Sequence, residues 1–149
     1  MADAWDAGHR YLAMFAYPRA GKSWGAAKLI VPELLKHDCH IWLTAPTYEL
    51  GSKEFGYVWN DLITTGFLQM ASSKHYDKRG GNMTVEFPWG SFIKVISADN
   101  PTALRAEELD VLVLCEASAL SQDIFYQHLF ARVEKRHGRV LIPTTPKGF

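Results

Sequence analysis

Only two cysteines, Cys39 and Cys115, occur in 149 residues, too few for a disulfide framework or a four-ligand zinc site. His37 and His40 flank Cys39, but no second ligand pair stands at metal-binding spacing, so that cluster is read as structural. Long hydrophobic runs are missing too. No stretch approaches the ~18–20 apolar residues of a membrane span, and the first ten residues lack the basic start and apolar core of a secretory leader. The chain is therefore expected in the cytoplasm, with no membrane partner. Charge of one sign is also absent. Sixteen Lys and Arg balance sixteen Asp and Glu, which excludes a surface coated in positive charge and confines any DNA contact to a local patch. Hydrophobic residues make up 48% and charged residues 21%, a balance that argues for one packed domain over 1–149 rather than a disordered or fibrous chain.

Short apolar runs alternate with segments of helical spacing. Tyr11-Leu-Ala-Met-Phe-Ala-Tyr17, ended by Pro18, reads as a strand buried on both faces of a sheet. From Ser23 to His37 the residues Ala26, Ala27, Ile30, Leu34 and Leu35 recur at helical spacing, with Pro32 as a kink or restart. His40 to Ala45 is a second buried strand, and Tyr48 to Phe67 a second helix with Phe55, Val58, Trp59, Leu62 and Ile63 on one side. Glycines 51, 56 and 66 are expected to weaken the ends of that helix. Between Met83 and Ser97 two alternating runs surround Pro88-Trp-Gly90, the pattern of a hairpin. Asp110 to Cys115 and Arg139 to Pro143 read as strands, with a helix over Asp123 to Lys135 between them. Strands alternating with helices predict an α/β three-layer sandwich with a mostly parallel sheet, in which ligands bind at the carboxyl ends of the strands.

Gly21-Lys22-Ser23 falls where the first strand turns into the first helix. Backbone N–H groups at such a junction receive phosphate oxygens, Lys22 adds a point charge toward the β and γ phosphates, and the Ser23 hydroxyl can ligate Mg²⁺. The full phosphate-loop pattern would open with glycine where Ala16 stands. An ordinary loop with a solvated lysine is the alternative. ATP hydrolysis also needs a carboxylate to orient the attacking water. Glu116 directly follows the most apolar run of the chain, and so emerges at the same sheet edge.

Five segments then carry a family likeness in order: Pro18-Arg-Ala-Gly-Lys-Ser23, Ile41-Trp-Leu-Thr-Ala-Pro-Thr-Tyr48, Ser97-Ala-Asp-Asn-Pro-Thr-Ala-Leu-Arg105, Val111-Leu-Val-Leu-Cys-Glu-Ala117 and Pro143-Thr-Thr-Pro-Lys-Gly148. Together they resemble the ATPase domain of the large terminase subunit, the motor that packages DNA in tailed bacteriophages. The resemblance runs from Phe15 to Phe149. It implies a P-loop NTPase with an added strand between the Walker A and Walker B strands, using ATP and Mg²⁺.

The resemblance implies that Ala20, Gly21, Lys22, Ser23 and Trp24 bind the nucleotide, that Arg19 is the phosphate-loop arginine, and that Arg105 is a finger offered to a neighbouring subunit's ATP. Glu116 becomes the catalytic carboxylate, and Thr144 and Thr145 resemble the coupling motif that senses the γ-phosphate. Implied partners are double-stranded DNA, further copies in a ring on the procapsid portal, the small terminase subunit, and a nuclease domain outside this chain; the implied location is the host cytoplasm. Ala106 replaces a glycine common after the arginine, and Cys115 takes the place of the Walker B aspartate. A neutral thiol is a poor ligand for Mg²⁺, so Cys115 leaves open an alternative, a nucleotide-binding DNA-clamping or assembly module that hydrolyses little. Trp24, Trp42 and Trp59 are read as core-packing residues rather than base-stacking ones. Two basic clusters, Lys74, Lys78 and Arg79, and Arg132, Lys135, Arg136 and Arg139, are read as solvated faces, with contact to DNA phosphates as the alternative.

Overall fold

The structure, a computed structural model, describes residues 2–15, 21–99 and 107–144. Its elements run α1 (Ala2–Asp6), β1 (Tyr11–Phe15), α2 (Lys22–Leu34), β2 (His40–Ala45), α3 (Tyr48–Thr65), β3 (Ser73–Asp77), β4 (Asn82–Glu86), β5 (Phe92–Ser97) and β6 (Val111–Leu114). Then follow α4 (Gln122–Ile124), a π-helical stretch (Phe125–Leu129), α5 (Phe130–Glu134) and β7 (Arg139–Thr144). The seven strands form one sheet in the order β1-β7-β6-β2-β5-β4-β3. All pairings are parallel except β3 with β4 and β4 with β5. Strand β7 thus lies between β1 and β6, as expected of an added strand between the strand before Gly21 and the strand before Glu116.

Period-2 alternation sends side chains of each central strand to opposite faces. In β6, Val111, Val113 and the following Cys115 join a core under α2 and α3, whereas Leu112 and Leu114 join a second core under the 122–134 helical segment. Trp42 in β2 and Val140 in β7 belong to that second core, as Ile41, Leu43 and Leu141 belong to the first. The result is the three-layer sandwich. No helix among the described residues is long and apolar enough to cross a membrane.

Several expectations are corrected. Strand β1 lies at the edge of the sheet, and Tyr11 is exposed rather than buried on both faces. Strand β3 was not anticipated, because Ser-Lys-His-Tyr-Asp is too polar to register as a strand; as the other edge it needs no apolar face. Helix α2 tolerates Pro32 because the residue sits in its last turn, where only one backbone bond is lost. Ile63 and Trp24 are exposed, not core residues. Of the second basic cluster, Arg136 pairs with Asp38 and Asp110, Lys135 with Glu108, and Arg139 lies over the Trp5 ring near Glu33. Arg136 and Arg139, both half-buried, thus tie segments together near the amino ends of the strands instead of forming a solvated face, whereas Lys135 stays exposed as expected. Lys74, Lys78 and Arg79 are exposed as expected.

Gly66 ends α3 as expected, whereas Gly51 serves packing rather than weakening an end. Gly66 is the C-cap at φ 81°, a left-handed backbone that suits glycine. Gly51 lies inside the helix where α3 approaches the sheet: a Cβ there would stand 2.6 Å from Val95 Cγ1 and 3.3 Å from Ala45 Cβ. Gly51→Ala should therefore cost about 1–3 kcal/mol through overpacking, despite alanine's higher helix propensity. Chemical denaturation of the two proteins checks this; an equal or higher midpoint for the variant would show that α3 can move off the sheet.

Candidate functional site

Parallel pairing brings the ends of β1, β7, β6, β2 and β5 to one edge of the sheet. The backbone hydrogen bonds Cys115 N to Thr44 O and Ala98 N to Ala45 O, both 2.8 Å, mark how level these ends are. Helix α2 starts at this edge. Its N-cap, Gly21, has φ 80° and ψ 19°, and no side chain caps the first amides. A left-handed residue followed by uncapped helical N–H groups is the backbone geometry that receives an anion. Lys22 and Ser23 occupy the first helical turn, both half-buried.

Glu54, a residue the sequence reading passed over, meets Ser23 at this edge. It is 3% exposed, and Ser23 Oγ donates to its Oε1 at 2.9 Å across the α2–α3 interface. Its other oxygen, Oε2, is buried with no hydrogen-bond partner among the described residues. The Cys115 thiol, fully buried, faces the same carboxyl. Burial holds the Glu54 carboxyl above its ordinary range, opposed by the hydrogen bond from Ser23. Burial, and then the neighbouring Glu54 charge, pushes the Cys115 thiol well above its ordinary range, so it offers no thiolate. The signal that marks Glu54 in the sequence is its register: it lies three residues after Gly51 and four before Val58, inside the stripe that α3 turns to the core.

Glu116 follows β6 with φ 52° and ψ 49°, a left-handed conformation rare for a residue with a Cβ. The chain turns there into the short 3₁₀ segment Ala117–Ala119, and the Glu116 side chain is half-buried near Glu54, whose proton affinity it raises. Thr144 ends β7 opposite Phe15 of β1, buried, with no hydrogen-bond partner for its hydroxyl among the described residues. Trp24 is 54% exposed and stacks under the Lys28 ammonium, 5.2 Å from its ring centroid. Arg19, Ala20, Arg105 and Thr145 lie outside the described residues.

The donor set suits Mg²⁺, which takes oxygen ligands, keeps several waters and is held largely by substrate phosphates. Ser23 Oγ and the unpartnered Glu54 oxygen meet that chemistry, whereas the protonated Cys115 does not. Among the described residues no three His, Cys, Asp or Glu side chains stand close enough to enclose a metal, as a cation carried by phosphates requires none. A cavity of about 410 Å³ on the opposite face is lined by apolar residues including Tyr11, Leu114, Ile124, Phe125 and Leu129, and excludes Ser23, Glu54 and Cys115. Cys39 is buried, with its thiol pushed up to about 12 by burial and Asp110, and His40 stacks on Phe92 beside Arg136; neither is poised as a ligand.

A mostly parallel sheet with a helix that opens at a left-handed, uncapped glycine, and a carboxylate just after a second strand on the same edge, defines an α/β fold of the P-loop type. Comparison with known proteins makes the class specific. The chain is 28% identical over 143 residues to the large terminase subunit of Thermus phage G20c, a match spanning 87% of this chain and 30% of that protein. The large terminase ATPase domain of Thermus phage P74-26 superposes with a TM-score of 0.76 at 27% identity, over 94% of this chain and 61% of that one. A large terminase of the thermophilic bacteriophage D6E shares the fold at a TM-score of 0.65 and 12% identity, over 91% of this chain and 32% of that one. No protein-family model matches the chain. In sequence and in fold the chain is similar to large terminase ATPase domains, and it spans under a third of the length of the curated terminase it matches.

The raised proton affinity of Glu54 has a stability consequence. Above the ordinary carboxylate pKa the unfolded chain has lost a proton that the fold still holds, so stability falls as pH rises through that window toward the raised value. Glu54→Gln keeps an acceptor for Ser23 and removes the ionisation. Its Tm should match the wild type near pH 4 and exceed it increasingly toward neutral pH. Calorimetric melting across that range checks the sign, and a wild type that gains on the variant as pH rises would contradict it.

Proposed function

We propose that this chain, over 1–149, is an ATP-hydrolysing unit of a motor that packages double-stranded DNA into viral procapsids. One observation carries the reading: Gly21, Lys22 and Ser23 open a helix at the same sheet edge where Glu116 ends a strand, within a fold similar to large terminase ATPase domains. The D6E terminase of similar fold is an ADP complex, which supports a nucleotide as the ligand.

In this reading the amides after Gly21 and the Lys22 ammonium bind the β and γ phosphates, and Arg19 and Ala20 complete the loop. Trp24, exposed just past the loop, belongs to the nucleotide's surroundings rather than to the core. Ser23 would hold Mg²⁺, which when bound draws charge from the phosphate oxygens. Glu116 accepts a hydrogen bond from the attacking water and aims it at the γ-phosphorus. Its left-handed backbone turns the chain out of the β6 direction at this position, and its charge is felt at Glu54. Arg105 of a neighbouring copy counters the charge that spreads over the transferring group. Thr144 and Thr145 couple the state of the γ-phosphate to β7, and the unpartnered Thr144 hydroxyl leaves a donor for that role. The working assembly is a ring of copies on the procapsid portal in the host cytoplasm, with the small terminase subunit and a nuclease domain as partners. The exposed Lys74, Lys78 and Arg79 are the local basic patch available to DNA phosphates.

Lys22→Ala should weaken ATP binding by about 1.5–3 kcal/mol, the range of a charge-assisted hydrogen bond, while Glu116→Gln should lower turnover roughly 10²–10⁴-fold and leave ATP affinity intact. Calorimetry and steady-state phosphate release separate the two effects; unchanged ATP affinity in Lys22→Ala would remove the nucleotide reading. Mixing Arg105→Ala with Glu116→Gln protein should restore phosphate release that neither variant shows alone. A mixture with no such gain, at concentrations where light scattering detects oligomers, would place the finger elsewhere.

A further inference from the structure

We propose that Glu54 supplies the carboxylate that the second nucleotide-site strand lacks, holding with Ser23 the divalent cation of a bound nucleotide in place of the residue at position 115. The proposal rests on the nucleotide reading above and adds to it a ligand delivered from a helix rather than from a strand.

Three features carry it. First, the Ser23 hydroxyl and Glu54 are already joined, at 2.9 Å from Oγ to Oε1. A hydroxyl has one proton and two lone pairs, so donating to Glu54 leaves the Ser23 lone pairs able to accept a cation without breaking that bond. Second, Glu54 Oε2 is buried with no hydrogen-bond partner among the described residues, and the Cys115 thiol that faces the carboxyl is only a weak donor. A buried carboxyl oxygen without a donor is costly to ionise unless a cation or a hydrogen bond arrives, and otherwise holds a proton; the helix start at Gly21, where a nucleotide's cation would be carried, lies beside it. Third, the side chain at the end of β6 that faces this carboxyl is the neutral Cys115. A carboxylate at both 54 and 115 would press two like charges together in a buried site. One acid serves the site, and here it stands on α3.

The arrangement also explains a departure from helical patterning. Glu54 occupies the apolar stripe of α3 between Gly51 and Val58, and Gly51 lets the helix come close enough to the sheet for a side chain from α3 to reach the strand ends. A glutamate there has the length to bridge from helix to site.

Calorimetric titration with a non-hydrolysable ATP analogue, in EDTA and in Mg²⁺, tests the proposal by binding alone. For the wild type, Mg²⁺ should tighten binding about tenfold or more. For Glu54→Gln the gain should shrink to about twofold or less, with affinity in EDTA equal or tighter because a negative charge has been removed near the phosphates. Cys115→Asp added to Glu54→Gln should restore most of the Mg²⁺ gain, while Cys115→Asp alone should add little. Glu54→Met, of similar volume and suited to burial, repeats the measurement if the glutamine variant does not fold. A wild type that binds the analogue but gains nothing from Mg²⁺, or a Glu54→Gln protein that keeps the wild-type gain, overturns this inference and leaves the nucleotide reading standing. A wild type that binds no analogue in either condition overturns both.

Discussion

An ionisable carboxyl taken out of water must be met by donors or cations, and the elements around it are arranged to provide them. Glu54 is such a group. The Ser23 hydroxyl reaches it from α2, Cys115 borders it from β6, and α3 carries it, so three elements distant in sequence are fixed relative to one side chain. The supporting contacts are apolar and close. Ala26, Ala27 and Ile30 of α2 and Phe55, Val58 and Leu62 of α3 are buried in one core, and the Lys28–Asp61 ion pair at 2.9 Å ties the two helices on their outer side. The ion pair is largely exposed and adds little by itself; burial of the apolar faces holds the helices in place, and the polar pair rides on them.

The sheet determines where that pair can act. With β1, β7, β6, β2 and β5 all running one way, each strand ends where the next helix or turn begins, and the open ends of α2, the Glu116 turn and Thr144 converge without any contribution from the loops at the opposite edge. That opposite edge is closed by a different means. Arg136 bridges Asp38, Asp110 and the His40 ring, and Arg139 spans Trp5 and Glu33. One edge is thus left to bind and the other is sealed by charge pairs.

The strands β2, β6 and β7, the β4–β5 hairpin and the two long helices were legible because each has a clean period of burial, and the strand-to-helix glycine turn was legible because its residue types are tied to its geometry. Misreadings cluster where one side of an element meets solvent. An apolar run such as Tyr11 to Phe15 looks the same whether a sheet covers both sides or ends there, and Ile63 and Trp24 fit helical spacing yet lie just beyond the covered stripe. The segment over 122–134 reads as one helix, and the extra residue per turn in its π-helical centre leaves no mark on hydrophobic spacing. Glu54 was overlooked because a search for apolar periodicity counts what matches the stripe and passes over the one polar residue inside it. The partners of Arg136 and Arg139 come from segments dozens of residues away, which no local pattern encodes.

The left-handed backbone of Glu116 bears on how this protein can vary. A residue with a Cβ gives up roughly 1–2 kcal/mol in that conformation, and glycine or asparagine gives up less. On stability alone glycine or asparagine would suit position 116 better, so under the proposed role of Glu116 its carboxylate is what offsets the strain. Under that same proposal, copies released from the role would drift toward glycine or asparagine, and the residue at this one turn would separate chains that keep the chemistry from chains that keep only the fold.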